Sequence, residues 1–116
     1  KETNLEIVKL KFSEKRIKTY KVDQCSIDSM EKLFKKKIGK NFDLIIDDGL
    51  HAPYTNINFI LACLNKVKKD GWLIIEDIPF KTKPIWSIIN LILSKNEKCF
   101  LVKTKNCYVF CVNKKS

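Results

Sequence analysis

Apolar and polar residues alternate through residues 16–22 (RIKTYKV), and a period of two predicts a strand there. After Asp23-Gln24-Cys25 the period changes. Ser26 is a good N-cap, and Ile27, Met30, Leu33, Phe34 and Ile38 make one face of a helix that Gly39 can end. Residues 42–47 (FDLIID) form a short apolar run without clear alternation, which predicts a strand covered on both faces. Asp48-Gly49 breaks that run, and Pro53 suits a first helical turn. Ile57, Ile60, Leu61, Leu64 and Val67 then recur at helical spacing, with Lys66, Lys68 and Lys69 at the negative helix end. Asp70-Gly71 reads as a stop and turn, and residues 72–77 (WLIIED) as a second buried strand. Pro79 and Pro84 bracket a loop. A helix over 85–94 follows, with Ile85, Ile88, Ile89 and Ile92 on one face. Residues 98–104 and 107–113 read as an antiparallel hairpin around Lys105-Asn106. Residues 1–15 fit a helix and an extended chain equally well.

Strands alternating with helices give an α/β layout. Both helices between buried strands are long enough for right-handed crossovers, so a mainly parallel sheet closed by a C-terminal antiparallel hairpin is expected. The 116 residues have a single-domain length, and 45% hydrophobic with 31% charged residues is ordinary for a globular domain. No apolar run approaches the ~20 residues that span a bilayer, so no membrane partner is expected.

The net charge is +10, from 23 basic and 13 acidic residues. Every basic residue but Arg16 is Lys, and 15 Ile and 9 Asn stand against 2 Ala. An AT-rich gene would write such a bias without selection for a basic surface. Nucleic-acid grooves favour Arg for bidentate contacts, so a solvated Lys surface is the first reading and a nucleic-acid partner the second. The five cysteines (Cys25, Cys63, Cys99, Cys107 and Cys111) form no CxxC, and there is one His. That pattern argues against a zinc site and for a reducing, cytoplasmic compartment. Cys99, Cys107 and Cys111 lie in apolar strand-like runs, where Cys acts as a small core residue. Gly39, Gly49 and Gly71 lie far apart, which excludes a glycine-rich phosphate cradle within these residues.

Ligands of open α/β sheets bind beyond the carboxyl ends of the strands. Polar clusters fall at those ends here: Asp23-Gln24, then Asp47-Asp48-Gly49-Leu50-His51, then Glu76-Asp77. Carboxylates crowded on one rim repel each other, and a hard cation such as Mg²⁺ would neutralise them. Asp47 by itself reads as a turn residue. Asp48, Glu76 and Asp77 together read as a metal site. His51 lies three residues from Asp48 on the same rim, and an imidazole there can take a proton from an alcohol near neutral pH.

FDLIIDDGLH (Phe42–His51) and GWLIIEDI (Gly71–Ile78), with Asp23-Gln24 upstream, resemble class I S-adenosylmethionine-dependent methyltransferases. The nearest group is that of the macrolide sugar O-methyltransferases and the cephalosporin-hydroxylase-like proteins. The resemblance covers about residues 16–113. It implies a Rossmann-like fold, S-adenosylmethionine as cofactor, Mg²⁺, and O-methyl transfer to a small hydroxylated acceptor such as a sugar. It assigns Asp48, Glu76 and Asp77 to the metal and His51 to the general base. It places Asp23 and Gln24 at the adenine, and Asp47 near the methionyl part. Leu50 stands where Ser is more usual. Phe80 and Trp86 would line an acceptor pocket or simply pack in the core.

The family builds its cofactor site around a glycine-rich turn and an acidic residue on two strands that lie between those matching 16–22 and 42–47. Neither feature occurs here. Residues 1–116 are therefore expected to be the C-terminal portion of one methyltransferase-like domain, incomplete at the N-terminus. Two other readings compete. One is a non-catalytic, methyltransferase-like basic module that binds RNA or a protein partner. The other is a hydrolase or hydroxylase using the same carboxylates, although no Ser-centred nucleophile elbow supports it. A homo-oligomer is a further expectation.

Overall fold

A computed structural model describes residues 15–116. The ambiguous segment 1–15 falls outside the described residues except for Lys15. Helix α1 spans Ile27–Leu33 and continues into a π-helical turn, Phe34–Ile38. Ser26 caps α1 by accepting the Ser29 N–H at 3.1 Å. Gly39 ends the turn at φ +92°, a conformation that other residues adopt at a cost. Strand β1 is Phe42–Asp47 and helix α2 is Pro53–Cys63, with Pro in its first turn as the sequence predicts. Strand β2 is Val67–Ile78, helix α3 is Lys83–Leu93, and the hairpin is β3 (Lys98–Lys103) with β4 (Tyr108–Asn113).

The four strands form one sheet in the order β1-β2-β4-β3. The β1–β2 pair is parallel, and β2–β4 and β3–β4 are antiparallel. Strands β1, β2 and β3 thus run in one direction and β4 against them, which is the expected mainly parallel sheet closed by an antiparallel hairpin. Residues 17–22 join no sheet, contrary to the alternating pattern. A strand needs a neighbour for its N–H and C=O groups, and among the described residues none lies beside this segment. Tyr20 and Val22 stay largely exposed.

Asp70-Gly71 is not a turn between elements either. It is a bulge inside β2, where Phe42 pairs with Val67 but Leu44 pairs with Trp72. Asp70 takes φ +69°, and its N–H donates to the Lys114 carbonyl at 2.7 Å. A Cβ on Gly71 would lie 2.8 Å from the Asp43 carbonyl oxygen, so the two strands close over a bare α-carbon.

One sheet face carries the core. Leu73, Ile75, Phe110 and Val112 are buried there against Ile60 and Cys63 of α2 and Trp86 of α3. Trp86 is fully buried, with its ring 5.2 Å from that of Phe110. Burial raises the thiols of Cys99 and Cys111, in line with a packing role. The opposite face is open. Leu44 and Ile46 are about half exposed, so β1 is covered on one face and not on both. On α3, Trp86, Ile89 and Leu93 pack against the core, whereas Ile85, Ile88 and Ile92 point outward.

Candidate active site

Asp47 ends β1 and Asp48 follows it, and the extended backbone sends the two side chains opposite ways. Asp47 is buried, at 3% exposure. Its Oδ1 accepts from Gln24 Nε2 at 2.7 Å and from the Gly49 N–H at 3.1 Å. Its Oδ2 accepts from Asn56 Nδ2 at 2.8 Å. Both oxygens are therefore engaged, and the carboxylate ties the strand end to α2 and to the Asp23-Gln24 loop. Gln24 completes the clamp by accepting the Leu50 N–H at 3.3 Å. A Cβ on Gly49 would sit 2.1 Å from Gln24 Oε1, so glycine is required there by close approach.

The same loop is held from below. Asn58 Nδ2 donates to the carbonyls of Gln24 and Cys25 at 3.4 and 3.2 Å. Asp23 is exposed and accepts the Cys25 N–H at 2.9 Å, a local Asx-type turn. The Cys25 thiol lies 3.4 Å from the Tyr54 hydroxyl. Hydrogen bonding to that thiol, and the negative charge it can carry, raise the Tyr54 hydroxyl above its ordinary value. A cavity of about 340 Å³ opens beside the loop, with Tyr20, Val22, Gln24, Ile46, Asp47 and Asp48 in its wall. Cys63 also lines it. Burial first, then the charge of Asp47, push the Cys63 thiol up to about 12.

Asp48 faces outward and meets two residues from elsewhere on the rim. His51 Nε2 lies 3.6 Å from Asp48 Oδ1 and 3.7 Å from Asp77 Oδ2. One donor atom from each of the three residues falls within 4.8 Å of the others. Donors on opposite sides of a cation bound at about 2.0–2.5 Å lie about 4–5 Å apart, so the spacing suits a single ion. The two carboxylate oxygens suit a hard divalent cation, and the imidazole nitrogen beside them can either join as a ligand or stay free to accept a proton. His51 Nδ1 is buried with no hydrogen-bond partner, which leaves Nε2 as the nitrogen facing the carboxylates.

Local backbone geometry aims these groups. His51 has φ +55° and Asp77 φ +54°, both in the left-handed region that non-glycine residues adopt at a cost. Asp77 lies where the β2–β4 register slips: Ile75 pairs with Phe110, but Ile78 pairs with Tyr108. Such a bulge turns a strand-end side chain toward the rim.

Of the residues singled out from sequence, Asp48, His51 and Asp77 come together. Glu76 is half-buried and is not one of that group. Gln24 and Asp47 form a separate, hydrogen-bonded corner next to it, and Asp23 sits exposed on the adjoining turn. Trp86 packs in the core rather than lining a pocket. Phe80 stays 40% exposed, edge-on to Tyr108 at 5.1 Å between ring centroids.

Two contributors escaped the sequence reading. Asn56 is the polar position on the buried side of α2, one turn before Ile60, and that break in an apolar stripe was the available signal. Cys107 reads as a core residue but places its Sγ 3.8 Å from Asp77 Oδ1. Only the hairpin register brings the two together.

No family model and no curated protein matches the chain. Solved structures do. The chain is similar to the MycE methyltransferase from the mycinamycin biosynthetic pathway in complex with Mg and SAH, with TM-score 0.65 and 20% identity over 91% of this chain and 35% of that one. It is equally similar to MycE in complex with Mg, SAH and mycinamycin VI, with TM-score 0.65, 20% identity, and 91% and 34% of the two chains covered. The chain thus spans about a third of the length of these neighbours. Its Rossmann-like α/β fold matches part of the fold of these structures.

Proposed function

We propose that this chain is the C-terminal, acceptor-side portion of an S-adenosylmethionine-dependent O-methyltransferase domain whose acceptor is a small hydroxylated molecule, such as a sugar. The observation that carries this reading is the convergence of Asp48, His51 and Asp77 at the carboxyl ends of β1 and β2. The solved neighbours with a similar fold hold Mg and SAH, and one also holds mycinamycin VI.

Asp48 and Asp77 would hold the divalent cation, and Glu76 is the further carboxylate that the resemblance assigns to it. When bound, such an ion supplies positive charge that makes an acceptor hydroxyl more acidic. His51 Nε2 faces the same space and would take the hydroxyl proton. Methyl transfer is an in-line displacement from a sulfonium to that oxygen, so the protein chiefly aligns donor and acceptor. Asp23 and Gln24 would form the near wall of the donor site beside the 340 Å³ cavity. Asp47 acts by fixing Gln24, because its own oxygens are engaged.

The test is transfer of a labelled methyl group from S-adenosylmethionine to a panel of hydroxylated small molecules by the intact protein. A product one methyl group heavier, lost in EDTA, is the expected result. Full activity in EDTA would remove the metal role. Salt-sensitive RNA binding with no methylated product would favour the non-catalytic basic module instead. No helix among the described residues is long and apolar enough to cross a membrane.

A further inference from the structure

No hydrogen bond within the Asp48–His51–Asp77 group sets its spacing. The imidazole stands 3.6 and 3.7 Å from the two carboxylates, beyond hydrogen-bonding distance, and His51 Nδ1 has no partner. His51 nevertheless keeps a left-handed backbone at φ +55°. A conformation of that cost persists only where the surroundings hold it. Two hydrogen bonds hold the backbone between Asp48 and His51. The Gly49 N–H donates to Asp47 Oδ1 at 3.1 Å, and the Leu50 N–H donates to Gln24 Oε1 at 3.3 Å.

Gln24 suits this task by chemistry and by reach. Its amide presents a donor and an acceptor side by side. Nε2 donates to Asp47 Oδ1 at 2.7 Å while Oε1 accepts from Leu50. The reverse orientation would set an oxygen against a carboxylate and an NH₂ against an N–H, so the amide stands one way only. Oε1 also fills the space beside the bare α-carbon of Gly49. Gln24 thus meets residues 47, 49 and 50, on both sides of Asp48. Its own turn is fixed from two helices. Asn58 of α2 donates to the Gln24 and Cys25 carbonyls, and the Ser26 N–H at the start of α1 donates to the Asp23 carbonyl at 3.0 Å. The contacts therefore run from two helices through one amide to the loop that carries two of the three rim groups.

We infer that Gln24 is a positioning residue for the cation. By bracing the 48–51 loop it holds Asp48 and His51 at a spacing that an ion can occupy. This rests on the cation reading of the rim given above. It is separate from any contact of the Asp23-Gln24 turn with a methyl donor. Removing a residue that orients metal ligands without touching the metal lowers affinity roughly 10- to 100-fold.

Calorimetric titration of the intact protein with Mn²⁺ tests the inference in two variants. Gln24→Met keeps the length and bulk but neither bond. Gln24→Asn keeps the amide but draws it back by one methylene. Each should weaken Mn²⁺ binding about tenfold. The chain has one His, so its imidazole gives a single set of NMR signals, and each variant should shift that set in metal-free protein. Glu97→Gln, at the other end of the sheet, should alter neither reading, which separates bracing from a general loss of stability. Unchanged far-ultraviolet circular dichroism identifies a folded variant, and Gln24→Asn decides the matter where Gln24→Met does not fold. Unchanged Mn²⁺ affinity or an unmoved His51 signal in a folded Gln24 variant would overturn the inference and leave the cation reading standing. An equal loss of affinity in Glu97→Gln would overturn it as well. No Mn²⁺ binding by wild type would overturn the cation reading and the inference together.

Discussion

The two ends of the sheet use the same residue types in opposite ways. At one end, Asp70 pairs with Lys115 at 3.1 Å, and Asn113 donates to the carbonyls of Asp70 and Gly71 at 3.1 Å each. Glu97 there accepts the N–H groups of Lys115 and Ser116 and the Ser116 hydroxyl, at 2.8, 3.0 and 2.7 Å. At the other end, Asp48 and Asp77 stay about 60% exposed and face one imidazole from beyond hydrogen-bonding distance. The first end satisfies its carboxylates with the chain's own donors. The second gathers carboxylates and holds them apart at a separation that fits a cation. Asp47 shows that the difference lies in placement and not in residue type, since it adjoins Asp48 and has both oxygens engaged.

Substitutions at the two ends should therefore fail differently. The largest effect belongs to the open end. Asp77→Asn should lower metal-dependent methyl transfer by at least about 100-fold and leave the unfolding midpoint nearly unchanged, because an exposed carboxylate adds little to stability. Asp47→Ala should do the reverse in urea unfolding, with a loss of about 2–4 kcal/mol. It strands the donors of Gln24 and Asn56 in a buried corner. A small stability loss there would dissolve the contrast between the neighbours.

Glu97 gives a smaller effect with a pH signature. Burial works to raise its carboxyl, but the Ser116 hydroxyl, the Lys115 and Ser116 N–H groups and the charge of Lys114 outweigh it and hold it below its ordinary value. A lowered folded value stabilises above the unfolded value and is lost as the pH falls through the folded one. Glu97→Gln should thus cost about 1–2 kcal/mol at neutral pH and almost nothing in strong acid, read from thermal melts along a pH series. The smallest effect is at Asp43–Lys68, an exposed pair in which hydrogen bonding and then charge raise the Lys68 amine. Lys68→Met should leave the thermal midpoint nearly unchanged, because exposed pairs contribute little.

Local signals predicted most of the elements. Ser26, Pro53 and the Thr104–Cys107 turn mark element ends through chemistry that acts within a few residues, and the structure agrees. The failures share a cause, since each depended on distant partners. Alternation over 16–22 could not say that no strand among the described residues would lie beside it. Asp70-Gly71 has turn chemistry, but pairing with Lys114 keeps it inside β2. The stripe Ile85-Ile88-Ile92 had helical spacing, yet the core took the face carrying Trp86. At the site, Asp48, His51 and Asp77 were legible because strand ends converge by topology. Asn56 and Cys107 were not, because their roles depend on packing and register.

The central claim is that the open end of the sheet is built to hold a divalent cation. Calorimetric titration of the intact protein with Mn²⁺ tests it most directly. The account predicts one ion per chain, with binding lost in Asp77→Asn and retained in Glu97→Gln. Equal Mn²⁺ binding by wild type and Asp77→Asn, or none by wild type, would contradict it.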